Sequence, residues 1–235
     1  MLILALDTAT LVSSVALATA DRLVAELTLQ TKKTHSELLM THIAQIIEMS
    51  GTTKEDLTAI AVSIGPGSFT GLRIGLSTAK ALAYALQIPV IGVPTLAALA
   101  YACPFPGAML APMMDAQKGN IYEALFSWQD GDLREIRPAR IVALAPALAE
   151  LAGMERPVVA LGEGAVMYSE QIAKQAGSLV TAPPHIVMPR AGSVAMLGQK
   201  LLQDGVQHNV MSLEPLYIRR AEAEELWERR HGTCV

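Results

Sequence analysis

VSIGPGSFTGLRIGLSTAK, residues 62–80, decides how this chain is read. An apolar run closes on a Gly-Pro-Gly turn, and a stretch rich in small residues follows, the order strand, tight loop, helix. A helix N-terminus presents unpaired amides and the positive end of its dipole, so such a junction can hold an anion. The spacing nevertheless excludes two standard phosphate motifs. A Walker A loop requires G-x-x-x-x-G-K-[ST], but Thr70 stands five residues after Gly65, Leu72 five after Gly67, and Leu72-Arg73 follow Gly71 with no lysine. A dinucleotide fingerprint, G-x-G-x-x-G, fails because its third glycine, Gly71, comes one position late. What is left is a turn at Gly65, Pro66 and Gly67, two candidate N-caps in Ser68 and Thr70, and Gly71 and Gly75 permitting close backbone approach. Two uses stay open: an anion at the helix N-terminus, or a structural joint between strand and helix.

Working outward, LILAL, SSVALA and RLVAELTLQ, the last with Leu23, Ala25, Leu27 and Leu29 alternating with more polar neighbours, predict three antiparallel strands in the first thirty residues. Thr34 and Glu37 form a capping box for a helix through about Met49, with Gly51 beyond its end. The strand TAIAVSI, a helix to about Gln87, the strand PVIGV and a short helix from Thr95 complete a βββαβα order. After the punctuation CPFPG the pattern restarts: AMLAPMMD, NIYEALF and DLREIR read as strands joined by KGN and DG turns, then a helix, the strand PVVAL, a GEG turn and further helices. Both copies end their first strand on an aspartate, Asp7 and Asp115, where the chain turns back. The expectation is an α/β protein of two related lobes with mixed sheets, residues 1–104 and 105–235, the tail from about residue 213 packing back on the first lobe. A duplicated βββαβα lobe with an aspartate at each hairpin resembles the actin, Hsp70 and sugar-kinase superfamily, an actin-like two-lobe fold whose members bind nucleotide between the lobes.

The totals narrow the function. At 235 residues and 51% hydrophobic, the chain can bury a large core. A net charge of -4 and a pI near 5.7 give no positive field for binding nucleic acid unaided, so contact with RNA is expected only through another subunit. Cys103 and Cys234 have no metal-type spacing and fit a reducing compartment. The N-terminal run lacks a basic flank and is broken by Asp7, which reads as a strand and not as a signal peptide. Residues 81–114 carry no charge, but five prolines break them too often for a spanning helix. A cytoplasmic protein without a membrane segment is expected.

The block GPGSFTGLRIGLSTAKALA, with LALDTAT, MDAQKGNIYEALF and PLYIRRAE, resembles the bacterial TsaB family, also called YeaZ, over nearly the whole chain. That resemblance implies a part in making N6-threonylcarbamoyladenosine beside the anticodon of tRNAs that read codons beginning with A. It implies a non-catalytic subunit that binds and supports the catalytic paralogue TsaD, with the ATPase TsaE docking on the pair. Gln117 stands where the family often has arginine. The paralogue's metal-binding H-x-x-x-H pair aligns with Thr95 and Leu99, neither of which replaces imidazole. His35 and His42 are seven residues apart, about 10 Å along a helix and too far to share an ion, while His185, His208 and His231 are scattered. In the superfamily's nucleotide site Asp7 would face the phosphate-bound metal and Gly162 and Gly164 the adenosine. DTAT lacks the glycine of D-x-G-T, so weak nucleotide binding is the most this site implies, and an Asx-type turn is the competing role for Asp7.

Two helices carry a further expectation. The apolar residues of 35–49 spread over roughly 240° of the helix, where one lobe needs about 100°. The helix after the glycine loop has a narrow profile. Leu39, Ile43, Ile47, Ser77 and Ala81 are therefore expected at a contact with TsaD and, without that partner, in a homodimer, with a wholly buried pair of helices as the other reading. The segment RRAEAEELWERR pairs opposite charges at i, i+4 and reads as a solvated helix. The alternatives are a stand-alone ATP-dependent phosphotransferase, disfavoured by DTAT, and a metallopeptidase, disfavoured by the missing histidine pair.

Overall fold

A computed structural model describes residues 1–30, 35–186 and 188–218. The capping residue Thr34, the charged segment from Arg219, His231 and Cys234 lie outside the described residues. The first sheet is built from β1 (Leu2–Asp7), β2 (Val12–Ala18), β3 (Leu23–Gln30), β4 (Leu57–Gly65) and β5 (Val90–Pro94), in the order β3-β2-β1-β4-β5. The hairpin strands pair antiparallel and the last two join in parallel. The second sheet repeats the order with β6 (Met109–Asp115), β7 (Asn120–Gln129), β8 (Asp132–Ala143), β9 (Val158–Leu161) and β10 (Leu179–Thr181), arranged β10-β9-β6-β7-β8. The strands correspond one to one, with the same senses, so the restart read in the sequence is a duplication of a mixed sheet.

Strand alternation sets the layers. Leu4, Leu6, Val15, Leu17, Ile60 and Val62 point to one face of the first sheet, where α1 (His35–Met49) and α2 (Phe69–Leu86) cover them. Their neighbours Ile3, Ala5, Ala16, Ala59, Ala61 and Val93 point to the other face, against α7 (Ala191–Gln203). The alanines let this helix lie close: a Cβ on Gly198 would stand 2.7 Å from that of Ala61. Between the sheets α3 (Thr95–Tyr101) packs on the second, and α4 (Leu144–Ala152), α5 (Gly162–Met167) and α6 (Ser169–Ala173) cover its far side.

The chain returns to the first sheet at α7. Its first amides are taken by that sheet, Ala191 N donating to Ser14 Oγ at 2.9 Å and Gly192 N to Glu26 Oε1 at 2.8 Å, while Arg190 pairs with Glu26. Lys200, near its other end, pairs with Asp132 of the second sheet. Beyond α7, His208 bridges to Val90 along the edge of β5, Leu213 enters the core under α2, and Leu216 N donates to Ile64 O at 2.7 Å.

Two local expectations are corrected. GEG is not a free turn but the first turn of α5. DLREIR is the start of a longer strand that runs through Pro138 to Ala143, which is tolerated because β8 is an edge and its register with β7 shifts at Leu125. That edge carries a closed ion network: fully buried Glu123 pairs with Arg137 and Arg140, the latter at 2.8 Å, and Glu150 of α4 pairs with both arginines.

Candidate functional site: the interlobe cleft and two outward helix faces

The site begins with the hairpin that leaves β1. Asp7 Oδ1 accepts from Ala9 N at 3.0 Å, an Asx bond that turns the chain, and Asp115 Oδ1 accepts from Gln117 N at 2.9 Å at the equivalent place in the second lobe. The glycine loop then closes over the first hairpin. Ser68 N donates to Ala9 O at 2.7 Å, Thr8 Oγ1 donates to Gly71 O at 2.8 Å, and Ser68 caps α2 by accepting from Gly71 N at 3.2 Å. Approach is so close that a Cβ on Gly71 would lie 2.1 Å from Thr8 O, and one on Gly67 2.4 Å from Ala9 O. Gly65, at φ 118°, gives its amide to Thr95 Oγ1 at 3.1 Å. The loop therefore cradles the protein's own hairpin. Thr70, the other cap candidate, sits inside α2.

Asp7 is fully buried, and among the described residues its Oδ2 has no hydrogen-bond partner. Burial pushes its pKa up to about 6, moderated by nearby Ser63 and by the Ala9 amide. The Ser63 hydroxyl donates instead to Leu6 O at 3.3 Å, which leaves the orphaned oxygen as it is.

A cavity of about 740 Å³ opens between the lobes. Thr10, Ser68 and Thr70 line it from one side, Asp115, Gln117 and Glu163 from the other, and Tyr217 and Ile218 from the returning tail. Asp7 is not among the lining residues, nor are Gly162 and Gly164. Those two glycines are buried where α5 crosses β6, and added Cβ atoms would stand 2.4 and 3.0 Å from Met113 O. Glu163, between them, is the member of GEG that reaches the cavity. Burial raises its pKa, the Asp115 carboxylate raises it further, and the Asp115 amide partly offsets both. Among the described residues the lining holds two carboxylates and no lysine, arginine or histidine. Next to it Arg73 lies 3.8 Å over the Phe69 ring and donates from Nε to Tyr217 Oη at 3.0 Å, and Phe69 stacks on Tyr217 at 5.0 Å. Neither the acidic pair nor this stack was foreseen, because each joins segments far apart in sequence.

The positions aligned with a histidine pair, Thr95 and Leu99, are both buried. Among the described residues no group of three His, Cys, Asp or Glu side chains is placed to hold a metal ion. Nor is any helix among them long and apolar enough to cross a membrane.

The five residues expected at a partner contact divide. Leu39 and Ile43 are 1% and 4% exposed in the core of their own lobe and face the sheet, which corrects their assignment to the surface. Ile47 is half-buried at the margin of that core, and Ser77 and Ala81 are exposed on α2. The outward surface of the pair is completed by Met40 and Ala44 on α1 and Tyr84 and Ala85 on α2, small or apolar residues with few charges.

Comparisons with known proteins agree with this architecture. The family model described as "TsaD: tRNA N6-adenosine threonylcarbamoyltransferase" matches residues 23–227. The tRNA threonylcarbamoyladenosine biosynthesis protein TsaB of Bacillus subtilis is 34% identical over 97% of this chain and 98% of its own. The protein of the same name from Escherichia coli is 30% identical over 99% of each. A crystal structure described as "an uncharacterized protein with similarity to peptidase YEAZ from Pseudomonas aeruginosa" superposes with a TM-score of 0.78 at 26% identity, over 93% of this chain and 99% of that one. A hexokinase from Thermus thermophilus, at a TM-score of 0.50 and 14% identity over 87% of this chain and all of its own, shares the fold alone. The two-lobe arrangement is actin-like.

Proposed function

Because the chain belongs to the TsaB (YeaZ) family of tRNA threonylcarbamoyladenosine biosynthesis proteins, we propose that it is a non-catalytic subunit of the complex that transfers the threonylcarbamoyl group to tRNA adenosine. In this reading it binds and supports TsaD, TsaE docks on the pair, tRNA is touched only through the complex, and all of this takes place in the cytoplasm. The observation that carries the proposal is the use of the glycine block. The Ser68 amide, the Gly71 carbonyl and the close approaches of Gly67 and Gly71 are spent on the Thr8–Ala9 hairpin, which supports a scaffolding role for the most family-like stretch of the chain. Asp7, Gly162 and Gly164, the residues expected at a vestigial nucleotide site, do not line the interlobe cavity, which supports weak nucleotide binding at most. A stand-alone ATP-dependent phosphotransferase would have to hold a polyphosphate against Asp115 and Glu163 in a cavity whose described lining offers no cationic side chain.

The lobe of residues 1–104 carries the proposed contact, made by the outward faces of α1 and α2 through Ile47, Ser77 and Ala81 with Met40, Ala44 and Tyr84. The same surface would pair two copies when TsaD is absent, a homodimer giving way to a heterodimer. Ala81→Glu with Ser77→Glu tests this, since both positions are exposed and the fold should tolerate the change. The expected result is an unchanged unfolding temperature and affinity for TsaD weakened by about 100-fold, the loss of a central interface position. Undiminished co-elution of the folded variant with TsaD would reject this surface, and adenosine modification that proceeds unchanged without this chain would reject the subunit role.

A further inference from the structure

Beyond α7 the chain crosses the side of α2 and is bonded to it at two places. His208 N donates to Val90 O at 3.2 Å and His208 Nδ1 accepts from Gly92 N at 3.2 Å, which lays the segment along β5. Residues 209–213 then close one helical turn, Leu213 N donating to Asn209 O at 2.9 Å. A single turn leaves its last carbonyls without partners of its own. Lys80 of α2 meets them, its Nζ donating to Met211 O and to Leu213 O, both at 3.1 Å. Such charge-assisted bonds are stronger than neutral ones. Farther on, Leu216 N donates to Ile64 O at 2.7 Å, and Tyr217 stacks on Phe69 at 5.0 Å and accepts from Arg73 Nε at 3.0 Å. Residues 208–217 are thus a strap that holds α2 near its start, at Phe69 and Arg73, and in its middle, at Lys80.

Both holds lie beside the arc of α2 assigned to the partner. At 100° per residue Phe69, Arg73 and Lys80 fall within about 40° of one another, and Tyr84, Ser77 and Ala81 follow within about the next 80°. Toward its own sheet the helix is fixed near its start, where Thr8 Oγ1 donates to Gly71 O at 2.8 Å. Past Leu76 its fully buried positions are Ala79 and Ala83. Ridges made of alanine are shallow and interlock weakly, so they leave the tilt of this half of α2 to be set from another side. We propose, resting on the reading that α2 meets TsaD, that the strap sets the tilt of the partner face and that Lys80 is its positioning residue, acting through the Met211 and Leu213 carbonyls. Linkage makes the effect reciprocal: if a closed strap favours TsaD binding, bound TsaD favours the closed strap.

Hydrogen exchange and TsaD binding, both measured on the full chain, test this. Lys80→Met keeps the apolar stem and removes the donors. It should speed exchange of the Leu213 and Leu216 amides by about tenfold or more, weaken TsaD binding by about tenfold, and leave β1 unchanged. Lys80→Arg keeps donors within reach and should restore most of both. In the wild type, adding TsaD should slow exchange at the same two amides. Faster exchange with undiminished affinity overturns the proposal, because the strap is then a structural edge alone. Weaker binding without faster exchange overturns it as well, since Lys80 then touches the partner directly. Acceleration shared by β1 reports a loosened lobe and also overturns it. Ser77→Glu with Ala81→Glu separates the two readings. If that pair leaves TsaD binding intact, α2 is not the partner face and this proposal falls with it; if it weakens binding while Lys80→Met does not, only the role of the strap falls.

Discussion

At the scale of single residues, the most consequential group is Asp7. Its folded pKa of about 6 lies above the ordinary 3.8, so the folded state prefers the neutral acid. Stability from this group is therefore greatest below 3.8 and is lost as pH rises toward and past 6, and the gap corresponds to about 3 kcal/mol. Asp7→Asn keeps the shape and removes the charge. It should raise stability at pH 8 by up to about 3 kcal/mol and flatten the dependence between pH 4 and 7, measured by urea unfolding at a series of pH values. A loss of stability at pH 8 would mean that the anion is being compensated by something bound. Gly71 makes an opposite prediction. Gly71→Ala forces a Cβ to 2.1 Å from a backbone oxygen and should cost about 3 kcal/mol, whereas Ala81→Gly on the exposed face of the same helix should cost about 1. The Asx role of Asp7 was legible in the sequence because it is local, residue i to i+2, and Asp115 repeats it at the equivalent turn. Glu163 was not, because its meaning comes from Asp115, and only the packing of α5 on β6 brings the two together.

At the scale of elements, strands were legible where a strict alternation ended in a turn, and the end of β8 was not, because a register shift and a proline blur the period. The helical wheel of α1 showed too much apolar surface but could not say which arc faced its own sheet. The structure gives Leu39 and Ile43 to the core and leaves Met40 and Ala44 outside. His42 lies on the inward side as well, 5% exposed, with Ser13 Oγ at 3.4 Å from Nδ1, and burial lowers its pKa below 6.5. A histidine so placed contributes stability above its unfolded value, about 6.5, and loses it as pH falls toward the folded one. Wild type should therefore lose stability relative to His42→Gln on going from pH 7 to pH 5, followed by urea unfolding. Asp7 acts in the other direction over the same range, so the comparison is cleanest in the Asp7→Asn background. Parallel curves for the two proteins would show that α1 does not hold the imidazole away from water.

At the scale of the whole molecule, the duplication was legible because each half repeats the same order of elements. The path of the last fifth of the chain was not, since nothing local in AGSVAMLGQKLLQ says which sheet it will cover. α7 lies on the first sheet, over Ile3, Ala5, Ala59, Ala61 and Val93, and the strand-like stretch at His208 follows the edge of β5. Residues 1–104 made alone would leave that apolar face open and should aggregate or bind a hydrophobic dye. A soluble, cooperatively unfolding fragment would show that the first lobe is complete without α7. The same crossing has a consequence during synthesis. A ribosome adding about 5–20 residues per second finishes β5 on the order of five to twenty seconds before it finishes α7. For that interval the nascent first sheet has only one of its faces covered, so the order of manufacture and the order of assembly differ. Chaperone demand should then fall on the middle of translation, and a pause placed between residues 104 and 190 should lower the yield of native protein more than one placed after residue 205.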